Sequence, residues 1–198
     1  MLEQTIMLIT ATALLLGSPG PAPLALAATS ATFGVRNSIP FLLGILSGLI
    51  VVIIAASTGF AVILSAAPQL KFALQVMGAI YIGYVAWKIA TAPINTAEAD
   101  IKCPSLVDGF MLNLLNSKAY ATFLALFSQF LLPFESAVAS YIITGGAAFI
   151  VAIVVDTGWV LLGGGLKPIF EKPRAARVLR ISFALSMLCA VGLTYKFV

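Results

Sequence analysis

The sequence predicts an all-α membrane protein of about six transmembrane helices in a 3+3 inverted-repeat arrangement, with helices 1 and 4 broken. Three observations predict it. Of 198 residues, 61% are hydrophobic and only 9% charged, against ~25% charged in soluble domains. The few charges are separated by apolar runs long enough to cross a bilayer. The first run of each half is interrupted at a matching place.

So little charge cannot give a soluble fold a polar surface, whereas lipid tolerates such a surface. In lipid every backbone N–H and C=O must be satisfied internally, which leaves helices or a closed barrel. Barrel strands alternate apolar and polar residues, and here the apolar runs are continuous. A spanning helix needs roughly 20 apolar residues. The stretches Glu3 to Arg36 and Arg36 to Lys71 hold no charge between their ends, and Lys71 to Lys88 frames a third. Asp108 to Glu135 is interrupted only by Lys118, and Glu135 to Lys167 only by Asp156. Arg180 to Lys196 holds a shorter sixth. Helices are expected near 4–32, 39–66, 71–91, 107–131, 137–166 and 177–197. They form a single transmembrane domain over 1–198, with halves at about 1–92 and 106–198 and a cytoplasmic loop at about 92–106. The Ala-rich stretch Leu24 to Thr29 resembles the end of a signal peptide. However, Glu3 is present and no Lys or Arg precedes Arg36, so the basic n-region is missing. A retained first helix is expected.

Basic residues mark the cytoplasmic side. The connections 1–2, 3–4 and 5–6 hold Arg36, Lys88, Lys102, Lys167, Lys172, Arg174, Arg177 and Arg180, while the other side holds Lys71 and Lys196. Both termini are therefore expected outside. The cluster at 167–180 reads as a topology signal in contact with anionic headgroups, not as a nucleic-acid site.

Three helices followed by three place the second half upside down on the first, as in many secondary transporters. Helix 1 carries Gly17, Ser18, Pro19, Gly20, Pro21, Ala22 and Pro23. Helix 4 carries Asn113, Leu114, Leu115, Asn116, Ser117 and Lys118. Three prolines in five residues remove backbone donors and clash with the preceding turn, and Gly20 permits a turn that other residues resist. Irregular backbone at this depth survives where it is buried or lines a watery cavity.

Lys118 lies roughly 16 Å along helix 4 at 1.5 Å per residue, near the middle of a ~30 Å core. Asp156 lies at a similar depth, counted from Lys167. Each unpaired charge there costs at least ~2.5–3.5 kcal/mol, so the two are expected to pair or to share a polar cavity. Asn113 and Asn116 either line a polar wall with Lys118 or bond to neighbouring helices. Asp108 favours the positive end of helix 4, and Lys88 can snorkel. Trp87, Trp159 and Tyr81 are candidate interface anchors, Trp87 foremost. Gly44 and Gly48 form a GxxxG on helix 2, which reads as close packing within the chain or between two copies in a homodimer.

The chain has no histidine, and Cys103 and Cys189 belong to no CxxC pair. No metal site, cofactor, catalytic residue or disulfide is expected. A thiol-electron conduit needs paired intramembrane cysteines, and an inorganic-ion carrier wants several midplane carboxylates. A channel is not distinguished from a carrier by these features.

These residues resemble the LysE/RhtB family of amino-acid exporters along most of the chain. Ser18 to Pro21, with Thr32 to Arg36 after an apolar stretch, is similar to the family's PGP segment and the G-R pair after helix 1. Pro40 to Gly48 matches its small-residue-rich helix 2. Gly78 to Lys88 is similar to its GAAYL…GW segment. Gly109 to Ala119 is like its GF…NxxNPKA stretch, continued by Phe123 to Phe130, and Asp156 to Trp159 looks like its acidic-aromatic pair. Ser117 stands in place of the usual Pro, Ala22 in place of a polar residue, and helix 2 lacks the histidine some members carry.

The resemblance implies an inner-membrane exporter of an amino acid or similar small metabolite, exchanging it with protons; the alternative is a channel or a transporter of another small solute or ion. The expected partners are a small-molecule substrate and the bilayer, with no nucleic acid. On this expectation Ser18, Pro19, Gly20 and Pro21, with Asn113, Asn116, Ser117 and Lys118, hold the substrate. Lys118 attracts its carboxylate, and Asp156 takes the amine or the coupling proton.

Overall fold

The computed structural model describes residues 1–59, 68–91, 103–166, 168 and 173–196. Among the described residues there are eight helices and no strand: α1 (Leu2–Gly17), α2 (Pro21–Phe33), α3 (Val35–Ser57), α4 (Pro68–Ala90), α5 (Leu106–Leu114), α6 (Ser117–Gln129), α7 (Ala137–Gly165) and α8 (Pro173–Lys196). The expected end of helix 2 near 66, most of the loop at 92–106, and Lys102, Lys167 and Lys172 lie outside the described residues, as do the side chains of Lys71, Lys88 and Lys196.

Helix 1 breaks where the prolines stand, into α1 and α2, which are bent by 63°. Ser18 closes α1 twice over, its N–H donating to Leu14 O (3.1 Å) and its hydroxyl to Leu15 O (2.9 Å). Pro21 then opens α2, where a missing N–H costs nothing and a fixed φ is already helical. Gly20 sits at φ −167, extended backbone open to any residue. Its glycine is therefore not required for the turn, contrary to expectation. A Cβ there would stand 2.9 Å from the Lys118 ammonium, the flexible end of a side chain that would have to shift.

The expected loop between helices 1 and 2 shrinks to one residue. Gly34, at φ 87, separates α2 from α3, a conformation glycine adopts without steric cost. Helix 4 also breaks, without a proline. Ser105 and Asp108 form a capping box that starts α5. After Leu115, Asn116 caps α6 by accepting from the Lys118 N–H at 3.2 Å.

Glycines set the closest packing. A Cβ on Gly48 of α3 would lie 2.8 Å from the Phe110 carbonyl oxygen of α5, and one on Gly44 would collide with the Leu106 carbonyl. From the other side, Gly109 meets the Phe41 backbone. The GxxxG is thus used within the chain. Two buried apolar clusters result. One gathers α2 with Phe41, Ile45, Val85, Val160 and Met187. The other gathers Leu8, Leu49, Phe123, Leu126 and Ala152 around α1 and α6.

Among the described residues, α3 and α7 are each long and apolar enough to cross a bilayer, and the bent pair α1–α2 makes a third if its two helices are taken as one span; α4 holds a shorter apolar stretch, Val76–Trp87. Large apolar side chains such as Ile54, Ile150, Val154, Leu161 and Leu162 face outward, which suits lipid and not water.

Candidate functional site

Between the two clusters lies a cavity of about 30 Å³, lined by Leu16, Ala22, Pro23, Ile45, Leu49, Asn113, Asn116, Lys118, Ala119 and Asp156. Both broken helices deliver their second halves to it by their N-termini, α2 through Ala22 and Pro23 and α6 through Lys118 and Ala119. A helix N-terminus carries partial positive charge and free N–H groups. Since prolines occupy 21 and 23, Ala22 supplies the backbone donor of that triad.

Lys118 reaches back across the cavity's edge to the other break. Its ammonium donates to the Ser18 carbonyl and to the Ser18 hydroxyl, both at 2.8 Å. Asp156, on α7, faces the same cavity and is 7% exposed. Among the described residues no donor bonds its carboxyl group. Of the two arrangements expected for these charges, the structure has the shared cavity, with Lys118 committed to Ser18. Trp159, one turn along from Asp156, donates its indole N–H to the Gly17 carbonyl at 3.3 Å. It clamps the end of α1 and is not an interface anchor.

The two asparagines divide the work. Asn113 donates to the Ile45 carbonyl at 3.0 Å and ties α5 to α3, while Asn116 caps α6. Ser18 and Pro19 are exposed, and Gly20 and Pro21 are buried without lining the cavity. Ser117 does not line it either. Ala22 and Pro23, part of the break expected from the sequence, do line it, together with Leu16, Ile45, Leu49 and Ala119; sequence reading missed the last four because apolar residues in an apolar helix carry no distinguishing signal.

Other residues moved from their expected roles. Arg180 is 3% exposed, buried in α8 instead of lying among headgroups, whereas Arg174 and Arg177 are exposed. The Tyr81 hydroxyl donates to the Asp108 carbonyl at 3.0 Å and ties α4 to α5. Trp87 is 65% exposed. Neither cysteine is in a disulfide, and the Cys103 thiol lies 3.2 Å from the Asn37 carbonyl.

The profile of the LysE type translocator family matches residues 13–196. The chain belongs to this family. It is 28% identical over 190 residues to the homoserine/homoserine lactone efflux protein of Salmonella typhimurium, covering 93% of this chain and 91% of the relative. It is 33% identical over 185 residues to the cysteine/O-acetylserine efflux protein of Escherichia coli O157:H7, covering 90% and 91%. No solved structure matches. As a LysE type translocator the protein is a membrane transporter and not an enzyme.

Proposed function

We propose that this protein exports a small amino acid or a close derivative across the inner membrane, driven by proton exchange. The single observation that carries this reading is the polarity of the cavity. One wall holds Lys118 and two helix N-termini, all favouring a carboxylate. The other holds Asp156, whose carboxyl is uncommitted and suits an amine or a proton. A zwitterion carries both complementary charges. The names of the relatives point to homoserine and cysteine as first candidates.

A cavity of about 30 Å³ admits one or two waters, not an amino acid, so the structure is a closed state. Loading requires the two halves to part, as alternating access supposes. In support of six spans in a 3+3 inverted repeat, each half packs on the other's broken helix, α3 against α5 and α7 against α1 and α2, while α3 meets α7 and α4 meets α8. A two-fold axis in the membrane plane would generate those pairings. The basic residues at or beside the connections 1–2, 3–4 and 5–6, seven without the buried Arg180, against Lys71 and Lys196 on the other side, support placing both termini outside.

The test is efflux from cells loaded with mixed amino acids, comparing the intact protein with the Lys118→Ala, Asp156→Asn double variant at equal membrane levels. Faster release of one or a few compounds, lost in the variant, is expected. No difference for any amino acid would remove this substrate class.

A further inference from the structure

The face of α2 that lines the cavity continues past it. At 100° per residue, Ala22, Pro23, Leu26, Thr29 and Ser30 share one face, and Thr29 and Ser30 lie two turns, roughly 10 Å, beyond the cavity. Both are fully buried, and both hydroxyls, with that of Thr32, have no hydrogen-bond partner. Several other hydroxyls of the chain do find one. Those of Thr5, Thr12, Ser38, Ser47 and Thr91 each bond back to a carbonyl one turn earlier. A buried hydroxyl without a partner destabilises the state that buries it.

What faces Ser30 is smooth. Gly164 of α7 lies against the Ser30 hydroxyl, and Gly163 against the Ala27 backbone. Between this seam and the cavity stand Leu26 and Val160, 0% and 2% exposed and members of one apolar cluster. Val160 is one turn from Asp156 on α7, as Leu26 is one turn from Ala22 and Pro23 on α2.

We propose that the α2–α7 seam is the second half of the solute path. Leu26 and Val160 form its apolar plug, and the Thr29 and Ser30 hydroxyls form a polar vestibule that is hydrated, and contacts the solute, when the seam opens. Apolar constrictions of this kind gate by excluding water, and a Gly/Ala seam parts without unlocking interdigitated side chains. This rests on the transporter reading above and adds the residues through which the solute reaches the Asp156 cavity.

The test uses thiol accessibility in a Cys103→Ser, Cys189→Ser background, in membrane vesicles of both orientations. Ser30→Cys is compared with Ala28→Cys, equally buried in the closed structure but on the opposite face of α2. The reagent is 2-aminoethyl methanethiosulfonate, with homoserine efflux followed in parallel. Expected is labelling of Ser30→Cys at least tenfold faster than Ala28→Cys, slowed further when Leu26 is enlarged to Trp. Equal rates at 28 and 30, or no labelling at 30 in a variant that still exports, would overturn the proposal. Labelling of Ser30→Cys without homoserine efflux would uphold the path while removing homoserine as the substrate.

Discussion

Lys118 and Ser18, 100 residues apart in the chain, are joined by two 2.8 Å hydrogen bonds from one ammonium. They tie the break of helix 1 to the break of helix 4. An ammonium at this depth needs partners, and a broken helix end needs donors for its carbonyls; each meets the other's requirement. Lys118 also lines the cavity; on the proposed reading a substrate carboxylate arriving there would compete with Ser18 for the ammonium, which would couple binding to the relation between the two halves.

Lys118→Ala should therefore lose substrate before it loses fold. Removing a charged hydrogen-bonding partner worth roughly 1.5–3 kcal/mol corresponds to about a ten- to hundredfold weaker interaction. The expected result is a raised half-saturation concentration for homoserine efflux in proteoliposomes. Gly20→Ala should act in the same direction but less, since its Cβ would press on the ammonium and lift it from Ser18. Unchanged half-saturation in Lys118→Ala would separate this lysine from the substrate.

Asp156→Asn tests the coupling. The amide keeps the shape and removes the exchangeable charge. In proteoliposomes, proton-driven accumulation should disappear while exchange of labelled for unlabelled homoserine persists. Should gradient-driven transport continue at the original rate, protons do not travel on Asp156.

The breaks were legible because proline and asparagine act locally: prolines at 19, 21 and 23 leave too few N–H donors to continue α1, while Pro21 fits the first turn of a new helix. The isolated charges were legible because lipid makes them expensive. Tertiary arrangement was not. Nothing local distinguishes Asn113, which bonds to Ile45 on α3, from Asn116, which caps its own helix. Arg180 reads like its neighbours Arg174 and Arg177, yet α8 turns it inward. Ser18 and Ala22 are four residues apart, and only the 63° bend decides that Ala22 faces the cavity while Ser18 is exposed. Gly34 was placed in a loop of several residues because a one-residue corner depends on its φ of 87.

Ser117→Pro should be tolerated. Ser117 is the first residue of α6, after the Asn116 cap, and proline is favoured at that position. Asn116 at φ −83, ψ 98 is already in the extended region that a following proline demands. Restricting the unfolded chain should add about 0.4–1 kcal/mol. Thermal unfolding in detergent should shift upward with efflux intact, and a loss of folded protein would show that the α6 start is held by something other than its cap.

One substitution, made at two glycines, should move stability in opposite directions. Within a helix, Gly→Ala ordinarily gains about 0.5–1 kcal/mol. Gly146 of α7 has open space where a Cβ would go, so Gly146→Ala should raise the unfolding temperature. At Gly44 the Cβ meets the Leu106 carbonyl, which is backbone and cannot rotate aside. Over-packing of this kind costs roughly 1–3 kcal/mol, so Gly44→Ala should lower the unfolding temperature by several degrees, at about 2–4 °C per kcal/mol for a chain of this size. The damage should also reach the site. Pushing α3 from α5 stretches the Asn113 to Ile45 bond at the cavity wall, so efflux should fall further than the protein level does. A Gly44→Ala variant as stable as Gly146→Ala would mean that α3 and α5 sit farther apart than the packing described here, and that the GxxxG is free for another partner.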